Sequence, residues 1–139
     1  MSDKLEDIIE YHADRKGALL PLLHDFQAAF GHLSEAHIRH IAAALNLTRA
    51  EVYGVVSFYH DYKSAPDPRP VVKLCRAEAC QARGVEGLVA GAQAAAGARV
   101  KIESIYCLGL CSVGPAALMG EHVYARLDAE KLAALVAAV

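Results

Sequence analysis

The sequence is short of several things, and each shortage removes a class of function. No apolar run approaches the ~18 residues that a membrane-spanning helix needs. The first residues, Met-Ser-Asp-Lys-Leu-Glu-Asp, carry charge where a secretory signal would carry an apolar stretch. The formal net charge is −2, neither half is strongly basic, and no polybasic run offers a surface to nucleic acid or anionic lipid. There is no G-x-G-x-x-G and no phosphate-cradling loop, so no nucleotide site is evident. No nucleophile stands beside a base. These absences lead us to expect a cytoplasmic protein with no membrane insertion and no nucleic-acid partner, one that catalyses nothing alone. Cysteine is scarce as well, with only four in 139 residues.

The placement of those four is the most informative feature of the chain. They form Cys75-Arg-Ala-Glu-Ala-Cys80 and Cys107-Leu-Gly-Leu-Cys111, with intervals of four, twenty-six and three residues. Thiols stay reduced in the cytoplasm, so two close pairs point to metal ligation before disulfides. A [2Fe–2S] cluster takes four thiolates, two per iron, and tolerates a Cys-x4-Cys interval. It is wider than one ion, which suits ligands drawn from two separate loops. Zinc held by four thiolates is the alternative, although structural zinc more often uses tight Cys-x2-Cys knuckles. On spacing alone both stay open, as do unligated thiols. Gly109 and Gly114 would let backbone N–H groups approach such a cluster. Arg76 and Arg83 are either cations that tune it or ordinary solvent-facing loop charges.

The front of the chain reads as helical. Asp3 to His12 places Leu5, Ile8 and Ile9 on one side. Leu19, Leu22, Leu23, Phe26 and Phe30 follow a buried helical stripe, with Pro21 tolerated in the first turn and Gly31 as the stop. Ser34 caps a helix that turns Ile38, Ile41, Ala42 and Leu45 inward. Thr48 and Glu51 make a capping box for another, whose inner face is Val52, Val55, Val56 and Tyr59. Phe58 and Tyr62 fall off that stripe and read equally as a docking surface or as part of a second local core. Two helices about a tight Asn46 turn also raise a redox-sensing DNA-binding regulator as an alternative. Yet Arg39 and Arg49 are the only basic residues, histidine aside, between Ser34 and Tyr62, too few to hold a phosphate backbone. The histidines at 24, 32, 37, 40, 60 and 122 are scattered, as surface or capping residues are.

Ser64-Ala-Pro-Asp-Pro-Arg-Pro70 cannot continue a helix and reads as a linker. The domain assignment is therefore residues 1–63 as a helical partner-docking domain, 64–70 as linker and 71–139 as the cysteine-bearing domain. Val71 to Cys75 is a short strand, and a loop runs from Cys75 to Gly84. A helix follows to about Gly97, with Val85, Leu88, Val89 and Ala92 on one face. Arg99 to Tyr106 is a second strand. Pro115 to Leu127 is a hairpin turning at Gly120-Glu121, with Val123, Ala125 and Leu127 inward. Asp128 caps a last helix. A β-α-β unit with parallel strands, then β-β-α, gives a four-stranded mixed sheet with two helices, the thioredoxin-like topology. Cys75 and Cys107 would then end neighbouring parallel strands, with Cys80 and Cys111 in the loops beyond. The fold class expected is α+β, an N-terminal helical bundle followed by this domain.

Nearly the whole chain resembles the thioredoxin-like [2Fe–2S] subunit of NADH:quinone oxidoreductase and its relatives. The likeness rests on Leu19-Leu-Pro-Leu-Leu-His24, on Ala50-Glu-Val-Tyr-Gly-Val-Val-Ser-Phe-Tyr59, on both cysteine pairs and on Val123-Tyr-Ala-Arg-Leu127. Within that family, Cys75-Arg-Ala-Glu-Ala-Cys80-Gln, Tyr106-Cys-Leu-Gly-Leu-Cys111 and the short interval between the pairs look like the gamma-type subunits of soluble molybdenum-containing, NAD-dependent formate dehydrogenases. The resemblance implies that Cys75, Cys80, Cys107 and Cys111 ligate one [2Fe–2S] cluster. It also implies an electron-transfer subunit of an oxidoreductase complex, docked on a flavin- and NAD-binding subunit. FMN, NAD and the molybdenum cofactor would lie only in partner subunits, the last in a larger one. Equivalent subunits of quinone-reducing complexes and of NAD-reducing hydrogenases are the nearest alternatives.

Overall fold

Side-chain caps decide where two helices of the N-terminal half begin. The computed structural model describes residues 3–139. In its first half it shows α1 (Asp3–His12), α2 (Leu19–Phe30), α3 (Glu35–Ala44) and α4 (Arg49–Phe58). Ahead of α3, Ser34 Oγ accepts from the His37 N–H at 3.2 Å, and the Ser34 N–H donates to His37 Nδ1 at 3.3 Å. Ahead of α4, the Glu51 N–H donates to Thr48 Oγ1 at 3.2 Å and Glu51 Oε2 accepts from the Thr48 N–H at 2.7 Å. Each box satisfies donors that a helix start leaves without partners. At Gly31 the backbone turns left-handed (φ 76°) and its N–H closes α2 onto the Gln27 carbonyl at 2.7 Å.

These helices enclose a core of Leu5, Leu22, Leu23, Phe26, Leu33, Ile41 and Val52. Tyr62 belongs to it. It is only 8% exposed and its hydroxyl donates to the Leu20 carbonyl at 3.4 Å. Tyr59, expected inward, is exposed, and Phe58 is 73% exposed. The reason is local. α4 stops at Phe58 and Tyr59 is already extended (φ −89°, ψ 110°), so helical periodicity no longer says where Tyr59 and Tyr62 point. His12, outside the expected scatter of surface histidines, is buried and meets Asp25 Oδ2 through Nε2 at 2.7 Å. Arg39 and Arg49 both turn to Glu35, at 2.9 Å and 3.0 Å.

By internal contacts the chain divides into two units, Met1–Asp67 and Pro68–Val139. The second contains β1 (Val71–Cys75), α5 (Glu78–Ala82), α6 (Glu86–Ala96), β2 (Lys101–Ile105), a single 3-10 turn (Cys111–Val113), β3 (Ala117–Met119), β4 (His122–Tyr124) and α7 (Ala129–Ala137). The strands form one mixed sheet in the order β2-β1-β3-β4. β1 and β2 run parallel, Val71 opposite Lys101 and Cys75 opposite Ile105, while β3 and β4 are antiparallel additions. α6 and α7 pack together. Val72, Leu74, Val85, Val100, Ala117, Leu132 and Val136 form the core. This is the α+β, thioredoxin-like arrangement that the order of elements implied.

Two details differ from expectation. The segment after Cys75 is not all loop, since α5 lies within it and carries Cys80. Val123 is 53% exposed, and Tyr124 instead packs against the core. β4 is an edge strand of three residues, and Arg126 then adopts a left-handed backbone (φ 51°). That kink breaks the alternation, so Leu127 is buried although Val123 is not. No helix among the described residues is long and apolar enough to cross a membrane.

Candidate metal centre

The sheet delivers the two cysteine pairs to one end. Cys75 is the last residue of β1, and its N–H is held by the Ala116 carbonyl at 2.9 Å. The Arg76 N–H continues to the Ile105 carbonyl at 2.9 Å, so β1 and β2 stay paired up to the site. Cys80 sits in α5, and α5 packs against the 3-10 turn that Cys111 opens. Cys107 lies just past β2 with a left-handed backbone (φ 81°). Such a φ is uncommon outside glycine, and strain of this kind gathers at functional sites. Gly109, also left-handed (φ 76°), returns its N–H to Cys107 Sγ at 3.3 Å. Cys107 Sγ and Cys111 Sγ are 3.5 Å apart. Cys75 and Cys80 are buried, whereas Cys107 and Cys111 are exposed, and none is in a disulfide.

Electrostatics tie the four sulfurs into one set. Burial pushes the Cys75 thiol up, but the backbone N–H groups of Ala77 and Cys107, the Cys80 thiol and the Leu108 N–H outweigh it and bring it below the ordinary value. Cys80 is pushed up by burial first, then by its hydrogen bond to Cys75, with the charges of Cys75 and Cys111 adding to the rise. Cys111 is raised by its hydrogen bond with Cys107 and by the charges of Cys107 and Cys75. A negative charge on one sulfur therefore opposes ionisation of the others. Four thiolates at one sheet end require a cationic core among them.

The residues fit a [2Fe–2S] cluster on three counts. All four donors are thiols, which suit iron and sulfide. They approach as two pairs, Cys75 with Cys80 and Cys107 with Cys111, and such a cluster takes two thiolates on each iron. Lastly, the wall beside Cys80 is bare, because a β-carbon on Gly114 would stand 2.9 Å from Cys80 Sγ. The role expected of Gly114 was amide approach; the space it leaves for a sulfur is what the structure shows.

The two nearby arginines part ways. Arg76 is clamped by Glu86 through two hydrogen bonds, 2.8 Å and 2.6 Å, with a third to Ser104 Oγ at 3.4 Å. Arg83 lies with its Cδ 3.3 Å from where a Gly114 β-carbon would be. Tyr106, beside Cys107, is exposed. The sulfur-directed amides of Ala77, Leu108 and Ala116 could not be read from the sequence, since every residue but proline has such a group and only the fold aims it. His122 is exposed on β4, and the remaining histidines lie in the other unit.

Comparison with known proteins converges on the same group. The sequence profile of the thioredoxin-like [2Fe–2S] ferredoxin family matches residues 5–139. A subunit of the NADH-quinone oxidoreductase of Rhizobium meliloti is 28% identical over 98% of this chain and 86% of its own length. The HndA subunit of the NADP-reducing hydrogenase of Solidesulfovibrio fructosivorans is 28% identical, covering 86% of this chain and 75% of its own. A crystal structure of an NAD+-reducing [NiFe]-hydrogenase in the H2-reduced state superposes with a TM-score of 0.69 at 28% identity over 86% of this chain. The chain spans only 21% of that hydrogenase polypeptide. Since the profile runs from α1 to the last residue, takes in all four cysteines and agrees with the sheet order, this chain belongs to the thioredoxin-like [2Fe–2S] ferredoxin family.

Proposed function

We propose that Cys75, Cys80, Cys107 and Cys111 hold one [2Fe–2S] cluster in an electron-transfer subunit whose partner is a flavin- and NAD-binding subunit carrying FMN. When bound, such a cluster supplies one-electron redox chemistry. The observation that carries the proposal is the convergence of four disulfide-free thiols, in two pairs, at one sheet end. The chain's own residues do the rest. Cys75 and Cys80 are buried and shield one side, while exposed Cys107 and Cys111 leave the other open to a partner. The N–H groups of Ala77, Leu108 and Gly109 are aimed at sulfur and favour its anionic form. The helical domain, with Phe58 exposed on α4, provides the docking surface.

The parent complex proposed is a cytoplasmic NAD-dependent formate dehydrogenase, with molybdenum in a larger subunit. The wording around both cysteine pairs and the twenty-six-residue interval between them support it. The relatives named above support a quinone-reducing or hydrogenase complex equally at the level of subunit type. Anaerobic purification of the full chain should give two irons and two sulfides per chain and an EPR signal after reduction. Stoichiometric zinc without iron would overturn the cluster assignment. Purifying the native complex and assaying NAD reduction with formate, and separately with hydrogen, tests the parent. Hydrogen dependence without formate dependence would replace formate dehydrogenase with hydrogenase.

A further inference from the structure

We infer that Arg83 is the charge that sets the reduction potential of this site, a role the structure withholds from Arg76. The inference rests on the cluster assignment proposed above and concerns what this chain adds to it. Both arginines lie near the cysteines in sequence, but their surroundings differ. The Arg76 guanidinium meets both carboxylate oxygens of Glu86, at 2.8 Å and 2.6 Å. That pair is locally neutral, and it braces the corner between β1 and α6 together with the Gln81 amide, which donates to the Arg76 carbonyl at 2.7 Å.

Arg83 is the last cap residue of α5, three positions after Cys80. Its side chain makes no ion pair among the described residues. Yet it is not directed away from the site. The point where a Gly114 β-carbon would sit is 2.9 Å from Cys80 Sγ and 3.3 Å from Arg83 Cδ. Sulfur and arginine stem thus share one glycine-sized space, and the guanidinium begins one bond beyond that stem. Here the absence of a side chain at Gly114 lets the stem of an unpaired arginine come up to the buried Cys80 ligand.

The physical consequence follows from charge. Reduction by one electron from a reduced flavin or a chemical reductant adds one negative charge to the set of thiolates and takes up no proton. A fixed cation beside Cys80 stabilises the more negative state and so raises the potential. Arg83 is solvent-exposed, so salt screens its effect on the site.

The test is an EPR-monitored redox titration of the full-length, cluster-loaded chain. We expect Arg83→Gln to move the midpoint to more negative potential with unchanged iron content and g-values. Arg83→Glu should move it further, and Arg83→Lys should restore most of the wild-type value. The difference between wild type and Arg83→Gln should shrink as salt is raised. Coincident midpoints for wild type, Arg83→Gln and Arg83→Glu would overturn the inference, as would an equal shift in Arg83→Lys, which would show packing and not charge at work. Should Arg83→Gln load poorly, the Arg83→Lys and Arg83→Glu pair, of similar length and opposite charge, decides the same question. Absence of any iron–sulfur signal in the wild-type chain would instead remove the cluster assignment, a distinct outcome.

Discussion

Cys80 leaves Gly114 no room for a side chain: a β-carbon there would stand 2.9 Å from the Cys80 sulfur and 3.7 Å from its Cα. Cys80 lies in α5 and Gly114 directly follows the 3-10 turn, so the contact is made by folding and not by sequence proximity. Gly114→Ala should displace the thiol and destabilise the second unit by about 1–3 kcal/mol, as overpacking does. Iron per chain should fall with it. Gly91→Ala is the comparison, since a β-carbon at Gly91, within α6, meets nothing within 4 Å. It should stabilise by about 0.5–1 kcal/mol, because alanine loses less freedom in a helix. Urea unfolding with iron analysis reads both, and equal behaviour of the two variants would refute the crowding.

The burial difference within the thiol set predicts two kinds of cysteine phenotype. Cys80→Ser and Cys107→Ser should each abolish visible absorbance from the cluster, with loss of the stability that binding provides. In metal-free protein they should separate. Cys80 is buried, so a serine hydroxyl there should cost about 1–3 kcal/mol. Cys107 is exposed, and its replacement should stay within about 0.5 kcal/mol of wild type. Chelator-treated samples unfolded in urea provide the measurement.

Phe58 and Tyr62, four residues apart, should respond oppositely. Tyr62→Ala removes a buried ring and the hydrogen bond to Leu20, and should destabilise the helical unit by about 3–5 kcal/mol. Phe58→Asp should leave folding nearly unchanged, since that ring is exposed, while weakening co-purification with the proposed flavin-bearing partner. Thermal unfolding of the isolated chain and pull-down of the complex separate the two effects. A folded Phe58→Asp chain that still binds at full strength would remove α4 from the proposed docking surface.

Acid should loosen the helical unit through its caps. The Thr48 N–H, then the Thr48 hydroxyl, hold the Glu51 carboxyl below the ordinary glutamate value. Glu35 is lowered too, by the hydrogen bond from Arg49 above all. A carboxylate whose folded pKa is depressed contributes stability above the unfolded value and loses it as pH falls through the folded one. The contribution should be complete above about pH 5 and fade below about pH 4. Glu51→Gln keeps the capping geometry without a titrating group. Its acid unfolding, followed by circular dichroism, should therefore be less steep than that of wild type. Superimposable curves would show that this cap does not govern the acid limb.

Much of the architecture was legible in advance because short-range patterns encode it. The apolar stripes of α2 and α3, the capping boxes opened by Ser34 and Thr48, and the Cys75-x4-Cys80 and Cys107-x3-Cys111 intervals all depend on residues a few positions apart. The positions of these helices and the thiol donor set follow from them. What escaped lay where local periodicity ends. Tyr62 is buried because the chain leaves the helix at Tyr59, and Val123 is exposed because β4 is an edge. Neither fact is written in the spacing.

The sequence alone determined that four thiols would be available, in two close pairs. Only the tertiary structure decided what surrounds them: which sulfurs are buried, which amides point at them, and which arginine remains unpaired beside Gly114. The physical reason is that a residue's type sets its donors and charge, whereas burial and electrostatic neighbours are properties of segments brought together from distant positions. Arg76 and Arg83 have the same chemistry, and only the position of Glu86 in the folded chain makes one a brace and leaves the other a free charge.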